Sequence, residues 1–385
     1  MSSGNEKFKI DYFSIQVGAW RILGALDLSN GKYLGWAMFL NVFVSMLVPM
    51  LLLSLFSFET PLENITNVSL TITSLSTILK FGMYVRKLHK LVEMKEVIAQ
   101  LDSRAKGKEQ IRYHRHMAKY LQRLSRVFLA TFLTVMVNTA ISFLFRSERS
   151  LPFPLWIPFD WKHSMVAYVA VLLFQEVGIF CQVLQNFADD SFPPLALYLI
   201  SEQCHLLILR ISSIGYGSAS QRDNEKDLVN CIKDQNDLYR LLELTRSLIT
   251  GPMLIQFIVI AANIALIMFG LVFYVERVQD RVFYMTFLWG VTLQTYPLCY
   301  YGTMMADSFS SLHYAIFCSN WIDQSSRYRS NMLILAERTK QQQLLLAGDI
   351  LPIHLSTFAA ICKGAYSFFT LMYDSVDKIQ NLNKP

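Results

Sequence analysis

Ile249–Val275 reads ITGPMLIQFIVIAANIALIMFGLVFYV, 27 residues without one Asp, Glu, Lys or Arg. As a helix it rises about 40 Å, more than the roughly 30 Å of hydrocarbon in a bilayer. A helix of a soluble core carries a polar face at the 3.6-residue period, and this one carries none. Leu34–Phe58, Val127–Phe145 and Val282–Ala306 are equally free of charge. Each reaches the roughly 18 apolar residues that mark a spanning candidate. Over the whole chain of 385 residues, 53% are hydrophobic and only 17% charged, against about 25% charged in soluble proteins. The expected fold class is an all-α polytopic membrane protein.

Three weaker segments complete the count. Residues 65–85 carry seven Ser or Thr and Lys80, residues 163–188 carry Glu176, and residues 351–375 carry His354 and Lys363. Accepting all three gives seven spans: about 34–58, 65–85, 127–145, 163–188, 249–275, 282–306 and 351–375. An eighth candidate, Phe192–Ile211, is apolar but interrupted by Pro193, Pro194, Glu202, His205 and Arg210. Charge decides between the two counts. With seven spans, 26 of the 35 Lys and Arg fall on one side and seven on the other. An eighth span spoils that asymmetry. Positive charge stays cytosolic, so seven spans with a cytosolic amino terminus are expected. Residues 1–33 then form a cytosolic segment, with no apolar core of signal-peptide type before Leu34. Phe192–Ile211 becomes an extension of the fourth helix into the cytosol, to about residue 212. Residues 307–350 form a second cytosolic helical segment, and 376–385 an outer tail.

Asn64 and Asn67 begin N-x-Ser/Thr sequons on the predicted outer side and are glycosylation candidates. All six cysteines fall in spans or on the cytosolic side, so no outer disulfide framework is expected. Phosphate-loop, HExxH, CxxC and GxSxG motifs are missing. No enzyme activity, metal or cofactor is expected, and the net charge of +6 is explained by the inner loops without a nucleic-acid partner. That leaves recognition, transport or conduction.

Ionisable residues inside spans cost about 2.5–3.5 kcal/mol on insertion scales and mark function by default. Lys80 is close enough to the cytosolic end of its helix to snorkel. Glu176 either faces water or pairs with a lysine on a neighbouring helix. Lys363 shares a helix face with Ser356, Ala360, Ser367, Leu371 and Asp374. Such a polar stripe either lines a water-filled path, closed near its outer end by Leu371, or packs against another helix. In the outer halves of the spans, Thr73, Ser74, Asn138, Ser142, Tyr168, Tyr284 and Phe287 sit at similar depths. Together they suit a mostly apolar pocket for a small volatile ligand. The loop 147–162, with three prolines, Trp156 and Trp161, is either a stiff lid or an interfacial anchor.

From Tyr300 onward the sequence becomes recognisable. Ala315-Ile-Phe-Cys-Ser-Asn-Trp321, Met332-Leu-Ile-Leu, Leu346-Ala-Gly348, Leu355-Ser-Thr-Phe358 and Ala365-Tyr-Ser-Phe-Phe-Thr-Leu-Met372 together resemble the insect odorant receptor family. The resemblance implies a ligand-tuned subunit of a heterotetrameric, odorant-gated, non-selective cation channel. Its partners would be the odorant receptor co-receptor, a small volatile odorant and membrane lipid, in the plasma membrane of olfactory sensory neurons. By similarity Trp321 belongs to a cytosolic subunit anchor. Lys363, Ser367, Leu371, Asp374 and Ser375 belong to the pore and gate; Ser375 departs from an apolar position in the co-receptor. The co-receptor itself is longer and carries an inserted cytosolic loop that this chain lacks.

Two related readings are weaker. Gustatory receptors share the architecture, but their last-helix signature has a Gln that is missing here. A G-protein-coupled receptor also has seven spans, yet it requires an outer amino terminus and shows Asp-Arg-Tyr after the third span. A secondary transporter would show internal repeats.

Overall fold

The computed structural model describes residues 11–26, 31–55, 61–104, 108–144, 151–153, 155–275 and 278–382. The side chains of 31–35, 37, 38, 61, 108, 138–144, 279, 280 and 375–382 lie outside that description. The chain runs through helices α1 (Ser14–Ile22), α2 (Gly31–Ser45), α3 (Leu47–Leu53), α4 (Pro61–Lys87), α5 (His89–Ser103) and α6 (Lys108–Leu144). It continues through α7 (Met165–Ser213), α8 (Gln221–Phe273), α9 (Val278–Phe317) and α10 (Ser326–Thr339). A two-residue hairpin, β1 (Leu346–Ala347) and β2 (Leu351–Pro352), precedes α11 (Leu355–Leu382).

Among the described residues, four helical stretches are long and apolar enough to cross a bilayer: Leu62–Lys87, Met165–Ser213, Gln221–Phe273 and Leu355–Asp374. Three of them overlap the segments that are weakest by hydropathy, 65–85, 163–188 and 351–375. The expected segment 34–58 is split. Pro49 lacks the N–H that would bond the Ser45 carbonyl, and the helix breaks at Met46. Pro193, Pro194, Pro252 and Pro297 cause no such break, because they sit in helices packed on several sides.

α7 is one helix of 49 residues that runs through the apolar stretch 192–211 without interruption. From Phe187 to Ile200 every residue is buried. A helix that is hydrophobic all round is buried, in protein core or in lipid, which is why Phe192–Ile200 imitates part of a membrane span. α7 is the central post, packed on α1, α4, α6, α8 and α9.

α1 docks beside that post. Trp20, fully buried, sits between Tyr84 and Phe192, with ring centroids 5.6 and 5.4 Å away. Its Nε1 donates to Asp189 Oδ1 at 2.9 Å. Gln16 Nε2 donates to Ser125 and Ser191 Oγ at 3.1 and 2.9 Å. Nearby, Tyr12 and Gln203 both donate to the Asp102 carboxylate. These contacts place α1 at the end of the bundle that carries the Lys- and Arg-rich 86–126 segment. Trp20→Phe keeps the ring and removes the donor from a buried carboxylate, at an expected cost of about 1–3 kcal/mol. A thermal melt of the detergent-solubilised protein reads this; a variant as stable as the parent shows that Asp189 does not rely on the indole.

The last helix starts four residues later than the expected residue 351, because Leu351–Pro352 pair with Leu346–Ala347 instead. Gly348 turns the hairpin at φ +60, and its N–H donates to the Thr250 carbonyl at 2.8 Å. A Cβ there would collide with Leu254, so the positive φ and the close approach both require glycine. At its far end α11 continues helical to Leu382, into the segment 376–385 expected as a tail.

Candidate ligand cavity

A cavity of about 150 Å³ opens between α3, α4, α6, α7 and α9. Its walls are chiefly apolar, with Leu70 of α4, Phe132 and Val135 of α6, Ile179 and Val183 of α7, and Phe287 of α9. Phe153 and Leu155 of the loop before α7 close one side and are themselves buried. The loop is held there by Gln175, whose Nε2 donates to the Phe153 carbonyl at 3.2 Å. The Trp156 N–H donates to the Met50 carbonyl at 3.2 Å.

The polar groups in this wall are few, and most are already engaged. Tyr284, 5% exposed, places its hydroxyl 2.7 Å from Thr66 Oγ1. Ser69 donates to Asn263 Oδ1 at 2.8 Å, and Asn263 Nδ2 donates to Thr73 Oγ1 at 3.0 Å. Ser74 Oγ donates to Gln182 Oε1 at 2.9 Å. The Gln182 side-chain nitrogen is buried and has no hydrogen-bond partner among the described residues. An unmet buried donor costs about 1–3 kcal/mol, so a site that keeps one gains by meeting it with a ligand.

Beneath the cavity the wall becomes charged. Lys80 is 1% exposed and does not snorkel. Its Nζ lies 2.6 Å from Asp190 Oδ1 and 3.2 Å from Asn186 Oδ1, and also donates to Gln256 Oε1. Gln256 Nε2 donates in turn to Gln294 Oε1 at 3.1 Å. Asn186 and Gln294 both line the cavity, so its floor is joined to Lys80 by one hydrogen bond on one side and two on the other. The network ties α4, α7, α8 and α9 together.

Of the residues expected to bind ligand, Thr73, Ser74, Tyr284 and Phe287 line the cavity. Tyr168 does not: it stacks on Trp161 at 6.1 Å between centroids, near the start of α7. Asn138 and Ser142 have side chains outside the described residues. Sequence reasoning missed Gln182, Asn186 and Gln294, whose signal is an uncharged amide in the middle of an apolar helix. Asn67 needs correction as a glycosylation candidate. Its side chain is fully buried and its Nδ2 donates to Ser54 Oγ at 3.0 Å, leaving no room for a sugar. Asn64 is half-buried near the start of α4.

On α11, Ser356, Ala360, Lys363, Ser367, Leu371 and Asp374 are all exposed. The helix packs on α8 and α9, and its Thr357 and Ala365 are buried. The side chain of Ser375 lies outside the description. Trp321 is half-buried against the main hydrophobic core.

The family described as 7tm Odorant receptor matches residues 60–366. Odorant receptor 23a of Drosophila melanogaster is 59% identical, over 96% of this chain and 98% of that one. Odorant receptor 59a of the same species is 33% identical, over 94% and 97%. Among solved structures, the insect olfactory receptor OR5 from Machilis hrabei in complex with eugenol superposes with a TM-score of 0.82. That match covers 95% of this chain and all of that one, at 13% identity. It establishes a shared seven-helix membrane fold.

Proposed function

Because this chain belongs to the odorant receptor family, we propose that it is the ligand-tuned subunit of an odorant-gated cation channel. In this reading it assembles with the odorant receptor co-receptor as a heterotetramer, in the plasma membrane of olfactory sensory neurons. The observation that carries it is the cavity, whose apolar walls, few hydroxyls and modest volume suit a small volatile odorant. Two features of a single chain support assembly. The polar face of α11 is exposed in the single subunit and suits a pore shared with neighbours, with Leu371 as a hydrophobic constriction. The cytosolic layer exposes Tyr314, Ile322, Leu333 and Ile334, all more than 60% accessible. Apolar surface on that scale suits subunit contact. Trp321 belongs to the same anchor. The docking of α1 at the basic end of the bundle supports a cytosolic amino terminus.

Co-expression with the co-receptor, under an odorant panel, tests this reading. Currents that reverse near zero membrane potential are expected only when both chains are present. An amino-terminal tag accessible from outside intact cells would sink the topology. Val183→Trp fills the cavity and denies the ligand three or four methylenes of burial, about 0.8 kcal/mol each. Effective ligand concentrations should then rise about a hundredfold. Unchanged dose–response curves for every active odorant place the ligand elsewhere.

A further inference from the structure

The cavity contains one buried polar group that no described residue satisfies. Gln182 is 8% exposed, its amide oxygen accepts from Ser74 Oγ, and its amide nitrogen has no partner among the described residues. Every other polar side chain used to describe the wall above is engaged by a neighbour: Thr66 with Tyr284, Ser69 with Asn263, Asn263 with Thr73, Asn186 and Gln294 with the Lys80 network. Among the lining residues, Gln182 alone has a buried side-chain atom left without a partner among the described residues.

Ser74 Oγ donates to Oε1, so the group left over is the Nε2 donor, which asks for an acceptor. Leu70, Phe132, Ile179 and Val183 line the same cavity, and their side chains accept nothing. We propose that Gln182 is the specificity-determining residue of this cavity, and that its ligands are compact apolar volatiles carrying one accepting oxygen, such as a ketone or ester carbonyl. This rests on the cavity being the odorant site proposed above. A site built to hydrogen-bond a ligand group rejects the shape-matched analogue that lacks it, because the buried protein donor is then left unpaired. A hydrocarbon of the same outline is therefore the discriminating comparison.

The test uses the full chain with the co-receptor, and pairs of probes that differ only by C=O against C=CH₂. Cyclohexanone is compared with methylenecyclohexane, and acetophenone with alpha-methylstyrene. In the parent protein the ketone of at least one pair should act at about tenfold lower concentration than its alkene, a difference of about 1.4 kcal/mol. In Gln182→Met, which keeps the length and removes the amide, that ratio should fall to near one. Gln182→Asn retains the amide but withdraws it, and should give an intermediate ratio. It also serves if Gln182→Met fails to reach the membrane. Equal potency of ketone and alkene in the parent, a ratio preserved in both variants, or silence towards both ketones overturns the proposal. Val183→Trp separates this failure from that of the cavity itself. If it abolishes responses while the Gln182 variants leave the ratio intact, the cavity stands and Gln182 does not select. If it leaves every response unchanged, the cavity is not the site.

Discussion

Replacing Lys80 with alanine is expected to destabilise the folded chain by about 3–5 kcal/mol, the cost of leaving one partner of a buried ion pair alone. The ammonium is 1% exposed and the Asp190 side chain 2%. Two further acceptors, Asn186 and Gln256, converge on the same nitrogen. Removing it orphans three polar groups at once, on α7 and α8. The result should be loss of surface expression and a strongly lowered melting temperature in detergent. The double variant Lys80→Met, Asp190→Leu removes both charges and should recover most of that loss, since hydrophobic replacement of a buried pair is often neutral. A single variant within about 1 kcal/mol of the parent would mean that water reaches Asp190, the ordinary situation of an exposed pair.

The second large effect is expected from Gly302→Ala. A Cβ at this position of α9 would collide with the backbone carbonyl of Ile353. That carbonyl cannot retreat easily, since the Ile353 N–H is bonded to the Leu345 carbonyl at 2.8 Å. The next residue, Thr303, accepts from the Leu355 N–H at 3.0 Å, at the first residue of α11. Overpacking of this kind costs about 1–3 kcal/mol, and backbone against backbone lies at the upper end. Gly364→Ala is the matched control: a Cβ there meets nothing within 4 Å, and the change should be neutral or stabilising by about 0.5–1 kcal/mol. If both glycines behave alike in a melt, the close approach of α9 to the hairpin does not matter to stability.

The spans were legible because hydrocarbon leaves a chain few options: a stretch such as Ile249–Val275 must be helical to satisfy its backbone. Phe192–Ile211 was legible as an interruption of that pattern by charge and proline. The full burial of Phe192–Ile200 at the centre of the molecule could not be read, since protein core and lipid impose the same apolar composition. Depth along a helix was readable well enough to place Thr73, Ser74, Tyr284 and Phe287 on the cavity. It failed at Tyr168, because the cavity meets α7 at Ile179–Asn186, about 16–27 Å further along the helix axis. Lys80 was misread for a different reason. Its partner Asp190 is 110 residues away, and nothing in the local pattern of α4 announces a carboxylate from another helix. Gln182 shares that difficulty, since an amide in an apolar helix becomes informative only once its neighbours have been counted.

The docking of Trp20 against Asp189 joins residues 169 apart in the chain. During synthesis at about 5–20 residues per second, the indole must wait roughly 8–34 seconds before its acceptor exists. Until then α1 has no Phe192 to pack on and no Ser191 to hold Gln16, and the Trp20 indole lacks its acceptor. α1 is thus made well before its place exists, and finds it only once about half of the 385 residues have been synthesised. Its docking therefore reports that the central helix α7 is in place.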